Sequence, residues 1–162
     1  MAEQDGAGTP VVITSEQLRE HWQGHRKLTR RMIEAFPEKE LFEYKIGGMR
    51  TFAQLASEFI SMSVPTLIGI TTRKWPESDY SDKATTKEGL LKLWDENTAE
   101  IDRMWKEISL SRFQEEDTAF GQWKMQIHAL LLYVIDNEIH HRGQGYVYLR
   151  SLGIEPPPFY ER

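Results

Sequence analysis

Leu18, Trp22, His25, Leu28, Met32 and Phe36 recur at spacings of three and four, which places them on one face of a helix. Thr14, three residues before Gln17, opens that helix as a capping box, in which hydroxyl and amide each satisfy an orphan backbone N–H. Pro37 ends it. A second stripe, Phe52, Leu55, Phe59 and Met62, predicts a helix from about Thr51. Pro65 then kinks it without ending it, since Leu67, Ile68 and Ile70 stay apolar. Thr85 and Glu88 read as another capping box, followed by Leu90, Leu91, Trp94, Thr98, Ile101, Trp105 and Ile108 on a third helix. Trp123, Ile127, Leu130, Leu131, Val134, Tyr148 and Leu152 mark a fourth, with Gly153 as its C-terminal turn and Pro156-Pro157-Pro158 barring continuation.

Residues 37–50, 73–85 and 109–121 read as loops. No period-2 run appears, so the chain is expected to be all-α, a four-helix bundle. Loops of about a dozen residues are long for a plain up-and-down bundle and favour a crossover, up-down-down-up, topology. The chain reads as one domain over residues 12–162 behind a disordered tail, residues 1–11.

Composition narrows the chemistry. There is no cysteine among the 162 residues, which removes disulfides, thiolate metal ligands and a cysteine nucleophile. The net charge of −5 argues against a nucleic-acid partner. Arg26, Lys27, Arg30 and Arg31 form the one dense basic group and read as a solvated helix face. Residues 59–70 are too short and too interrupted to span a bilayer, and with no targeting segment a cytoplasmic location is expected.

The informative positions are polar residues on apolar stripes. On the fourth helix Asn137 and His141 follow Val134 at steps of three and four and precede Gly145, so they lie one above the other on the core-facing side. On the second helix Glu58 falls between Leu55 and Met62, at or beside the buried face. A carboxylate there needs a partner, be it a metal, a histidine or an arginine such as Arg142. His25 is either a further ligand or a packed imidazole; His21 reads as exposed and His128 as partly buried.

The string Asp136-Asn137-Glu138-Ile139-His140-His141-Arg142-Gly143-Gln144 resembles the signature of the DinB-like superfamily: Asn or Asp, His, two residues, then His-His-Arg-Gly-Gln. Leu149 to Tyr160 is similar to that family's C-terminal end, and Met49-Arg50-Thr51-Phe52 to the start of its second helix, so the likeness covers about residues 12–160. It implies a four-helix bundle, usually a homodimer, with a divalent metal on three histidines, one on the second helix and two on the fourth. Some relatives are thiol-dependent transferases or isomerases, and many have no assigned reaction.

Carried over, the ligand positions read Glu58, Asn137 and His141, so two of three histidines are replaced. Two outcomes stay open. One is a divalent metal (Zn, Ni or Mn) on an altered site, serving a thiol-linked transferase or hydrolase. The other is a metal-free network in which Glu58 bonds His141 directly and Asn137 completes it, as in a non-catalytic small-molecule-binding or stress-associated dimer. Glu138, His140, Arg142 and Gln144 would support the site, Arg142 suiting a buried carboxylate such as Glu58 or Glu138. Gly145 would open a pocket lined by Trp22, Met62 and Tyr148, with His25 nearby. The five tryptophans also fit a purely structural dimerisation bundle.

Overall fold

The computed structural model describes residues 11–162, so the expected tail, residues 1–11, lies outside them but for Val11. Four long helices carry the fold: α1 (Ser15–Ala35), α3 (Phe52–Thr72), α4 (Lys87–Trp105) and α5 (Ile127–Ser151). A short α2 (Glu38–Glu43), a 3₁₀ turn (Leu110–Gln114) and a two-stranded hairpin, β1 (Glu116–Ala119) and β2 (Trp123–Gln126), fill the connections. The all-α class holds. α1 packs on α4 and α5, and α3 packs on the same two helices.

The helix starts follow from the capping chemistry. Thr14 Oγ1 accepts from Gln17 N at 3.1 Å, and Gln17 Oε1 accepts from Thr14 N at 2.9 Å. Thr51 and Gln54 repeat this reciprocal pair at α3. Such caps contribute about 1 kcal/mol each. At α4 the cap is Thr86, accepting from Gly89 N at 3.1 Å, not the Thr85–Glu88 box expected from sequence. Gly153 turns left-handed at φ 76° behind α5, and Ile154 N donates to Leu149 O across it.

Two expected loops hold regular structure. Pro37 starts α2 as well as stopping α1, since a helix's first turn needs no N–H donor there, and Leu41 of α2 is fully buried. Residues 109–121 and Trp123, read as loop and helix, instead form the 3₁₀ turn and the hairpin, whose tip carries Phe120 (φ 52°) and Gly121 (φ 68°). Phe120 is held in that sparsely occupied region by packing on Trp75, 5.1 Å between ring centroids, and on Trp123.

One end of the core stacks Phe36 on Phe52 (4.8 Å) beside Phe59, Trp94 and Tyr148; the other end gathers Trp22, Trp105, Leu131 and Ile135. α3 is by length and composition apolar enough to cross a membrane, but more than half of that stretch is buried in the bundle, which suits a core helix.

Candidate functional site

α5 presents two polar pairs at i and i+4, one residue out of phase. A residue's offset is about 100° of helix, so Asn137 and His141 face α3 while Glu138 and Arg142 face α1.

On the α3 side the structure brings Glu58, Asn137 and His141 together. Asn137 Nδ2 donates to Glu58 Oε1 at 3.1 Å and lies 3.2 Å from the Met62 sulfur. His141 Nε2 stands 3.4 Å from the same carboxylate oxygen, and its ring stacks at 6.3 Å on Phe59. Arg50, from the segment leading into α3, donates through Nη1 to Glu58 Oε2, and its Nη2 lies 3.5 Å from His141 Nε2. Tyr148 fixes that arginine's backbone by donating its hydroxyl to Arg50 O at 2.8 Å.

The arginine that pairs with Glu58 is therefore Arg50, not Arg142. Burial pushes the Glu58 carboxyl up, but the hydrogen bonds from Arg50 and Asn137 outweigh it and hold the group below its ordinary range. Burial pushes the His141 imidazole down; Glu58 opposes this and Arg50 adds to it, so the ring titrates below its usual value. His141 Nδ1 is buried without a hydrogen bond. Gln144 acts on the ring more weakly than Glu58, Arg50 or His140. His140 is exposed and touches the site only through its ring, 4.8 Å from that of His141.

A cavity of about 450 Å³ opens beside this cluster between α3, α5 and the hairpin. Arg50, Glu58 and Asn137 form its polar end. Met62, Leu130 and Val134 from the helices and Phe120, Trp123 and Met125 from the hairpin make most of the apolar wall. Of the four residues expected around a pocket, Met62 lines this one. Trp22 is fully buried against Trp105, His25 belongs to the α1 side, and Tyr148 is a core residue reaching the site only through the Arg50 backbone. Gly145 opens nothing: a Cβ there would meet Phe52 Cε2 at 2.4 Å, so the glycine serves close packing of α5 on α3.

On the α1 side a second network is buried, with the exposed Arg162 reaching His25 Nε2 at 2.9 Å. Thr29 Oγ1 donates to Glu138 Oε1 at 2.5 Å. Arg142 donates to His25 O (3.1 Å), Thr29 Oγ1 (3.2 Å) and His25 Nδ1 (2.9 Å). Arg26 lies 3.9 Å from Glu138 and 3.9 Å over the Trp94 ring, with Nε donating to Thr98 Oγ1. It is 1% exposed, which corrects its reading as part of a solvated basic face. The charge is tolerated because the guanidinium is paired, stacked and hydrogen-bonded at once.

Burial, then Arg142, His21 and Arg162, push the His25 imidazole down to about 3. Unfolded, that ring takes a proton near 6.5. Between these values the unfolded chain binds the extra proton. The contribution to stability is therefore complete above about pH 6.5 and is lost as pH falls toward 3. Urea unfolding at a series of pH values should show this acid slope. His25→Gln, which keeps an acceptor for Arg142 but cannot titrate, should flatten it; equal slopes in both proteins would clear His25 of the role.

Comparison with known proteins agrees with this architecture. The DinB family model matches residues 8–162. An uncharacterised protein of Bacillus subtilis, YjoA, is 28% identical over 155 residues, covering 93% of this chain and 99% of that one. A crystal structure of a DinB-like protein from Bacillus cereus superposes with a TM-score of 0.72 at 22% identity, over 90% of this chain and 97% of that one. The crystal structure of YjoA gives 0.69 at 20% identity, over 90% and 99%. With a family match that runs through all four long helices and both polar faces of α5, this chain belongs to the DinB family.

Proposed function

We propose that this protein is a small-molecule-binding bundle whose ligand occupies the cavity between α3, α5 and the hairpin, and that it works without a tightly held divalent metal. The observation that carries the reading is the cavity itself: about 450 Å³, mostly apolar along its walls, with the Arg50–Glu58 ion pair and Asn137 grouped together in its lining. That combination is what ligand sites of this size look like.

The donor set supports the metal-free part. Of the positions aligned with the family's three histidines, Glu58 is already neutralised by a guanidinium and Asn137 turns an N–H₂ donor toward it. His141 Nδ1 makes no hydrogen bond of good geometry, and Gln144 acts on the ring only weakly, whereas a metal-binding imidazole is usually oriented by a firm partner. These residues do not fit a tight Zn, Ni or Mn site. A homodimer with the same pocket in each protomer is compatible with this reading, as is a cytoplasmic setting.

The experiment has two arms. Untagged protein purified without chelator should carry far less than one equivalent of Zn, Ni or Mn, and EDTA should leave its melting temperature unchanged. The neutral dye N-phenyl-1-naphthylamine should bind with one-to-one stoichiometry and gain emission, and Met125→Trp, which fills the cavity, should abolish that gain. Near one equivalent of metal that disappears in His141→Ala would overturn the metal-free part and return the thiol-linked enzyme reading. No dye binding to the folded protein would overturn the cavity reading.

A further inference from the structure

The charge at the polar end of the cavity is arranged in layers. Glu58 lies underneath, its side chain 14% exposed, and Arg50 lies outside it at 45%. An incoming molecule therefore meets the cation first. The guanidinium carries five N–H donors. Among the described residues Glu58 accepts from Nη1, and His141 Nε2 stands at the 3.5 Å limit from Nη2; no other group bonds it. The fork thus keeps donor capacity for a ligand while its backbone is pinned by Tyr148. Among the described residues Arg50 and Glu58 are the only charged ones lining the cavity, and Tyr80, Phe120, Trp123 and Tyr133 supply aromatic surface around it.

Resting on the cavity reading above, we infer that the ligand is an aromatic carboxylic acid, its carboxylate held by the exposed Arg50 guanidinium and its flat body packed on the hairpin aromatics. Arg50 then supplies the fixed positive charge at a position where the family places a metal. Glu58 has two opposed effects. It orients the guanidinium, and it competes with the ligand's carboxylate for it. A planar, bidentate donor suits this role, whereas an ammonium would supply charge without the fork.

The probes are 2-naphthoate and its neutral counterpart 2-naphthamide, titrated against the full chain by calorimetry, with thermal melts to establish folding. The wild type should prefer naphthoate by about tenfold, in line with a charge-assisted hydrogen-bonded pair. Arg50→Gln should erase that preference by weakening naphthoate while leaving naphthamide unchanged. Arg50→Lys should recover part of it. Glu58→Gln, which removes the competing carboxylate, should tighten naphthoate severalfold. If naphthamide binds the wild type as well as naphthoate does, and Arg50→Gln changes neither, the inference is wrong while the cavity reading stands. If neither naphthalene nor the neutral dye binds, both fall together.

Discussion

Glu138→Ala should cost about 3–5 kcal/mol of folding stability, the loss typical of removing one partner from a buried charged network. Against a total of roughly 5–15 kcal/mol for a domain, that is enough to leave a large unfolded fraction on mild heating. Glu138 is 2% exposed, Arg26 1% and Arg142 5%. Burial drives the Arg26 guanidinium down to about 10, and Glu138 is the largest influence holding it up. At neutral pH Arg26 therefore stays charged, and without Glu138 that charge is left with Thr98, a backbone carbonyl, the Trp94 ring and the weaker influence of Asp95. Thr29 loses its shorter hydrogen bond in the same change and is left with His25 O at 3.2 Å. Urea denaturation should show the midpoint collapse. The double variant Arg26→Met/Glu138→Ala should be much less damaged than the two single losses summed, because the uncompensated charge is gone. A loss under 1 kcal/mol in Glu138→Ala would mean that this network does not hold α1 to α5.

What could be read in the sequence was what is local. Thr14 with Gln17 and Thr51 with Gln54 declare helix starts because both partners lie within one turn. The stripes on α1, α3, α4 and α5 are equally local, since their period is set by the helix. Asn137 and His141 stood out because two polar residues break one stripe, and Glu58 because it interrupts another. Bringing them together needs no more than α3 lying against α5.

The parts that escaped depend on distant or non-periodic partners. Arg50 sits just ahead of α3, where no stripe exists to be broken, and its role appears only once Glu58 and His141 are seen beside it. Arg26 sits in a run of basic residues and reads as solvated; its partners Trp94, Thr98 and Glu138 are all more than 60 positions away. The sequence pairs Arg142 with a buried carboxylate, but one residue of helical phase decides which, and that phase turns it to α1 and away from Glu58. The hairpin strands are four residues each, too short to show alternation. Trp123 and Met125 do alternate, but a single such pair is too little period to read, and Phe120 sits at the hairpin tip, outside both strands.

Gly145 and Gly143 make the sharpest paired test of how α5 sets the site. Two residues apart in one helix, they have the same backbone cost, up to about 1 kcal/mol relative to alanine. Their surroundings differ completely. A Cβ on Gly143 would meet nothing within 4 Å, so Gly143→Ala should stabilise by about 0.5–1 kcal/mol. A Cβ on Gly145 would lie 2.4 Å from Phe52 Cε2, 2.6 Å from Cδ2 and 3.2 Å from the Met32 methyl. Phe52 cannot yield, because it is fully buried and stacked on Phe36. Gly145→Ala should therefore cost about 1–3 kcal/mol as an overpacked core, opposite in sign to its neighbour, with thermal and urea unfolding as the readout. The damage should not stay in the core. Phe52 lies two residues beyond Arg50, and Gly145 one turn beyond His141, so forcing α5 off α3 pulls the guanidinium and the imidazole apart. Gly145→Ala should weaken binding in the cavity even where the protein remains folded, whereas Gly143→Ala should leave it untouched. Equal binding in the two folded variants would mean that the polar end of the cavity is assembled without the close approach that Gly145 permits.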